Sequence, residues 1–255
     1  MSFRSFLVSR RCWAALLMSA VASASWAQGA PRAYAVVSEV ARQVRVSYQP
    51  SVGKLGNNNR VQKIDVPDGA LDKVFLLSAQ KPLKAANDAA DVWLLAPAET
   101  DFFGLAVFTD GGRIALPADL KAALQERKST HLLLFSRYRA EADIRFNNGT
   151  ENTGPLEGLG YYIDMEMPVR QLDKKEQVFG YLAAYTHFRA TLIDVANERV
   201  LKSLVTRATR INTAAGNDAK EQHPWQALSA GEKMAQLRDL TQREVARMVP
   251  ELLKP

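Results

Sequence analysis

The sequence predicts an α/β (α+β) domain: a single mixed β-sheet with helices packed mainly on one side, a long C-terminal β-hairpin and a terminal helix. Three observations carry this. Two segments of helical period, 71–87 and the one after Pro117, are each followed by an apolar strand-like run, at 91–96 and 130–136. Alternation over 182–195 turns through Ala196-Asn197-Glu198-Arg199 and returns over 200–211. Ser229 and Glu232 have the spacing of a capping box ahead of an apolar stripe. Helix-then-strand units that feed a long hairpin belong to a mixed sheet carrying a helical layer.

Taken in order, residues 34–37 form a first apolar strand, and Val40, Val44 and Val46 continue around a polar 41–43 turn. An opening β-hairpin is expected there. The stretch 50–68, with Gly53, Gly56, asparagines at 57–59 and Pro67, reads as a loop. From Leu71 the period becomes helical. Leu71, Val74, Phe75, Ser78, Pro82 and Leu83 fall near one face, while Asp72, Lys73, Gln80, Lys81 and Lys84 lie largely outside it, and Pro82 marks a kink. Residues 91–96 read as a buried strand, and Asp110-Gly111-Gly112 as a turn.

In the second helix Leu116, Leu120, Ala123 and Leu124 oppose Lys121, Gln125 and Glu126. Strand character then persists past 130–136, through Tyr138, Ala140 and Ile144, to the turn Asn147-Asn148-Gly149. Glycine-rich 154–160 gives way to an extended 161–167, and 173–176 is a charged turn. Over 182–195, Leu182, Ala184, Phe188, Ala190 and Leu192 alternate with Tyr185, His187, Arg189 and Thr191, which puts the second set on an outer face. The last helix steps through Met234, Leu237, Thr241, Val245 and Met248, and Pro250 stops it. With no internal repeat and no long linker, 28–255 reads as one domain.

The first 27 residues have the order of a secretory signal. Arg4, Arg10 and Arg11 precede an apolar run over 12–24, and Ser25-Trp26-Ala27 places small residues at −3 and −1 of a cleavage between Ala27 and Gln28. The run is too short for the roughly 20 residues a membrane span needs. Arg10-Arg11 leaves a twin-arginine route open beside the general one. Cleavage takes away three of the 33 basic residues and none of the 27 acidic ones, so the mature charge is +3, and a nucleic-acid role loses its compositional support. Cys12, the single cysteine, lies inside the signal. The mature chain is therefore expected to lack disulfides, a thiol nucleophile and thiolate metal sites, and to reside in a bacterial periplasm.

The segment 188–201 (FRATLIDVANERVL) is a strand, an Asp-Val-Ala, a polar turn and a Val-Leu strand start. It resembles the hairpin of a bacterial envelope α/β group that includes the amino-terminal domain of TolB, FlgO and CsgG. The helix before 130–136 and the terminal helix are similar to that group as well, over 71–249 loosely. The chain departs from it in having no lipid-bearing cysteine and in the elaboration over 147–176. The resemblance implies an envelope accessory or assembly role and brings no catalytic residue.

Candidate chemistry is sparse. His131, His187 and His223 stand at no metal-ligand spacing, so neither metal nor cofactor is expected. Ser136 and Ser229 lack a nucleophile elbow, and Gly158-Leu159-Gly160 lacks the third glycine and following helix of a phosphate cradle. Asp164 and Glu166 alternate on one strand face and could form an acid pair with His187, although solvated strand carboxylates look the same. The set Arg137, Tyr138, Arg139, Tyr161, Tyr162, Tyr185 and Arg189 has the residue types of interface contact points, and Tyr161, Tyr162, Arg137, Tyr185 and Arg189 are the candidate partner-binding residues. The alternative is tyrosines lying flat on a solvent-facing sheet with arginines around them. The expected function is a non-enzymatic periplasmic accessory protein that binds another envelope component. A hydrolase-like enzyme using Asp164 or Glu166 with His187, and a small-ligand binder, are the other classes.

Overall fold

Every residue of β1 (Tyr34–Ser38, YAVVS) is buried, and the sheet is built outward from it. A strand with no polar face needs cover on both sides, which is the setting of parallel strands. In the computed structural model β1 pairs in parallel with β4 (Val92–Leu95) on one edge and β7 (His131–Arg137) on the other. The structure describes residues 32–48, 59–86, 91–95, 108–109, 112–146, 149–151, 153–170, 177–213 and 223–254, which group in one unit, Arg32–Pro255. The expected signal segment and its Ala27/Gln28 cleavage site lie outside the described residues, as do the turn positions 110–111 and 147–148 and the charged turn 173–176.

The longest strand, β12 (Gln177–Asp194), joins two halves of the sheet. On one edge it pairs antiparallel with β11 (Pro155–Arg170) over 177–187 and with β7 over 188–194. On the other it pairs with β13 (Arg199–Asn212). Beyond β11 lie β2 (Gln43–Tyr48), parallel, and β3 (Arg60–Asp65), antiparallel. β13 meets β6 (Arg113–Ile114) at Arg199, and β6 meets β5 (Phe108–Thr109). The fold is thus a mixed α/β sheet with a long C-terminal hairpin, β12–β13, and a terminal helix. The short β8 (Arg139–Glu141) pairs with the start of β11, and β9 (Ile144–Phe146) with β10 (Gly149–Glu151) forms a separate hairpin.

Several sequence expectations are corrected here, among them the loop expected over 50–68, of which Arg60–Asp65 forms β3. The opening hairpin does not form, because β1 and β2 pair with different strands. The link between them is drawn onto helix α1 (Ala70–Ala86) by Asp72, whose Oδ1 accepts from Ser38 Oγ at 2.5 Å, Val40 N at 3.0 Å and Ala41 N at 3.1 Å. Asp72, expected outside the apolar face, is accordingly buried; burial pushes its carboxyl up, against those three donors and the Arg42 charge. Residues 92–95 form an edge strand with half-exposed side chains, not a buried one. Helix α3 (Ala230–Leu253) carries the capping box but passes through Pro250. The carbonyl that Pro250 frees belongs to exposed Ala246, where water can serve it. Its buried stripe is Leu237, Leu240, Thr241, Val245, Met248 and Leu252, with Met234 outside.

Both faces of the sheet are covered. One carries α1 and α3 over Val36, Leu133, Phe135, Ile163, Leu182, Phe188 and Ala190, with Phe75 T-shaped against Phe188 at 4.9 Å. The other carries two smaller cores. Helix α2 (Ala118–Glu126) inserts Leu124 over Val37, Leu132, Leu134 and Ile193. The β8–β9 segment lays Ala142 and Ile144 over Tyr162, Tyr181, Ala183 and Tyr185. This second layer explains why both alternating sets of β12 are buried.

Candidate functional site

The three tyrosines expected at an exposed patch are core residues in this fold. Tyr161 is 1% exposed on the helical face, its ring edge-on to Trp225 at 5.6 Å and its hydroxyl donating to Lys233 O at 2.7 Å. Tyr162 and Tyr185 are 0% exposed on the opposite face, beneath the β8–β9 layer. Burial pushes the hydroxyls of Tyr161 and Tyr185 well above the usual tyrosine range. All three rings are therefore enclosed by the described residues. Tyr161 is enclosed by the helical layer, and Tyr162 and Tyr185 by the second layer, which short, weakly patterned strands make hard to see in the sequence.

The two arginines of the same set stand nearer the surface. Arg137 reaches Glu157, Nε to Oε1 at 3.7 Å, and Arg45 approaches the same carboxylate at 2.9 Å. Arg189 extends over the ring of Tyr138 at 5.6 Å.

The acid pair with His187 does not assemble. Asp164 pairs with Tyr181 and His187 with Gly158, six positions apart along β12 or roughly 20 Å. Asp164 is buried at a bulge, where its Oδ1 accepts from Glu166 N at 2.7 Å and Met167 N at 2.8 Å, and Glu166 is exposed. His187 is on an enclosed face instead of the expected outer one. Its Nδ1 lies 3.3 Å from Leu156 O, which can only accept, so Nδ1 carries the proton. Burial, with the Arg207 charge beside it, pushes the imidazole down to about 4 against that hydrogen bond. The other two histidines have local partners: His131 has Thr130 and the Tyr34 ring, and His223 accepts from Trp225 N at a 3-10 turn. Among the described residues no group of three or more His, Cys, Asp or Glu is placed to hold a metal. An open groove of about 310 Å³ lies at the β12–β13 turn, lined by Arg113, Ile114, Ala115, Ala196, Asn197 and Glu198. Its carboxylate, Glu198, is already held by Lys121 at 2.6 Å.

What the fold leaves open is the outer edge of β13. Beyond Val200, which bonds Gly112 O, no strand pairs with that edge among the described residues. The strand reads RVLKSLVTRATRIN, with Arg199, Lys202, Arg207 and Arg210 and no acid. Leu201 and Val205 are 48% and 45% exposed. Val205 pairs with Arg189, which places both on the face away from α3. On the other face Thr206 donates to Glu244 Oε2 at 2.9 Å, and Arg243 and Arg247 close on the same carboxylate. Burial raises the Glu244 carboxyl, but the bonds from Arg247 and Thr206 and the Arg247 charge hold it below the usual range overall. Arg243 and Arg247, 62% and 58% exposed, therefore flank the open edge. In the sequence, 200–211 reads only as the returning strand. Four cations without an acid in 14 residues was the available signal.

No family model matches the chain, and no curated protein sequence does. Solved structures similar in fold include PelC from Paraburkholderia phytofirmans, a dodecamer, at 13% identity over 88% of this chain and 89% of that one, TM-score 0.33. A neuraminyllactose-binding hemagglutinin homologue from Helicobacter pylori matches at 10% identity over 86% and 84%, TM-score 0.39. A DUF330 protein from Xanthomonas campestris matches at 11% identity over 90% and 87%, TM-score 0.37. At these identities and scores the likenesses carry nothing about function. They do not show the resemblance to TolB, FlgO and CsgG.

Proposed function

We propose that this chain is an exported, non-enzymatic accessory protein that binds another protein of the bacterial cell envelope through the β13 side of its sheet. The observation that carries the reading is a long strand whose outer edge has no pairing partner beyond Val200 among the described residues, with Leu201 and Val205 exposed along it. Unpaired edge groups are templates for another chain, and strand addition is a common mode of protein recognition. Export is supported by the basic, apolar and small-residue order of 1–27, and no described helix is long and apolar enough to cross a membrane. Arg189 with Tyr138 borders the same surface and serves as its flank.

The test is capture of the tagged protein from envelope extracts, native against Val205→Asp. Val205 is half exposed, so the substitution leaves the core intact. One partner enriched with the native protein and lost with the variant is the expected result. Equal recovery by both places binding elsewhere and defeats the proposal.

A further inference from the structure

We infer that the occupant of the β13 edge is an extended acidic polypeptide segment that adds to the sheet as a further strand. The inference rests on the docking reading above and names the chemistry of its partner. The first element is the backbone: from Leu201 to Asn212 the outer edge has no strand beside it among the described residues, so an incoming chain finds a ladder to join. The second is charge. Arg199, Lys202, Arg207 and Arg210 lie along that edge, and Arg199, Arg207 and Arg210 form no ion pair among the described residues.

Register divides these cations between the two faces of an added strand. Lys202 pairs with Leu192 and Arg210 with Ala184, so both lie on the helical face, beside Arg243 and Arg247 of α3. Arg207 pairs with His187 and Val205 with Arg189, on the other face. Carboxylates on either face of an incoming strand meet a guanidinium or an ammonium group. Between them, apolar side chains meet Val205. Cross-strand pairs of opposite charge and of apolar groups stabilise a ladder, and like charges oppose it.

The same arithmetic disfavours a second copy of this chain. Two β13 edges would bring together eight cations, four from each, with no carboxylate in either strand. A polyanion such as an acidic polysaccharide or an anionic bilayer would satisfy the charges but leave the backbone edge unpaired. The edge and the exposed Val205 therefore favour a polypeptide.

The experiment titrates the full chain with a fluorescent peptide alternating glutamate and valine, followed by hydrogen exchange of the amides in β13. A control peptide is N-methylated at every second residue and cannot complete a ladder; dextran sulfate and anionic phospholipid vesicles are the polyanion controls. The expected result is saturable binding of the plain peptide, slowed exchange at alternate amides between 201 and 212, and no binding of the methylated peptide. Arg207→Glu with Arg210→Glu weakens binding about tenfold, and both side chains are exposed, so folding is preserved. Absence of binding, or equal binding of both peptides without slowed exchange, overturns the inference. Binding of the polyanions alone overturns it as well and reassigns the cations to them. If the peptide fails while envelope capture still depends on Val205, the docking proposal stands and only the acidic strand falls; loss of both results defeats both.

Discussion

Asp72 shows how one side chain decides where the chain goes after β1. Its Oδ1 takes all three hydrogen bonds from Ser38, Val40 and Ala41 inside the fold. An amide oxygen in the same place would accept them too. We therefore expect Asp72→Asn to cost less than about 1 kcal/mol, and Asp72→Ala, which strands three donors, to cost about 3 kcal/mol, as read by urea unfolding of the two variants. His187 is expected to contribute acid sensitivity to the fold. Its imidazole stays neutral down to about 4 when folded, while an unfolded histidine protonates near 6.5. Between those values the unfolded chain binds the extra proton, so stability is full above about 6.5 and falls as pH is lowered toward 4, by about 3 kcal/mol in all. Unfolding titrations from pH 7 to 4 check the slope, which His187→Leu should flatten. An unchanged slope in that variant would move the acid sensitivity to another group.

At the scale of elements, β2 and β11 approach so closely that a Cβ at Gly160 would lie 1.9 Å from Arg45 O and 2.8 Å from the Tyr185 hydroxyl. Gly160→Ala must push the two strands apart, and a loss of about 3 kcal/mol is expected in thermal or urea unfolding. A stability within error of the native chain would show that the strands can part freely. The elements themselves were largely legible: α1 within one residue at each end, the strand at 131–137, the β12–β13 hairpin and the Ser229 capping box are local patterns that need no knowledge of neighbours. Pairing was less so. Nothing within 34–48 says that β1 and β2 pair with different strands, because Asp72, β7 and β11 decide it from far along the chain. The alternation in β12 predicts one outer face, yet Tyr185 and His187 are enclosed by Ala142, Ile144 and Leu156, from a stretch where short strands give weak signals. That covering layer takes Tyr162 and Tyr185 out of the expected patch, the helices take Tyr161, and the pairing register keeps Asp164 and His187 apart.

At the scale of the whole molecule, the sheet has helices on one face and a patchwork cover on the other, and beyond Val200 its long strand β13 has no strand beside its outer edge among the described residues, where a row of cations lies. Native proteins usually blunt such an edge, and lysines and arginines are one way of doing so. On the proposed reading the cations keep like edges apart while exposed apolar groups serve a partner of opposite charge, which is the arrangement a selective binding surface requires. The central claim is that this edge is the docking surface. The most direct test places a photo-crosslinking amino acid at each position from 201 to 211 in turn, in living cells, with exposed Leu77 on α1 as the control site. The account predicts one partner captured from β13, with yields rising and falling at every second residue, and nothing from Leu77. Equal capture from Leu77, or none from β13 in cells that make the protein normally, would contradict it.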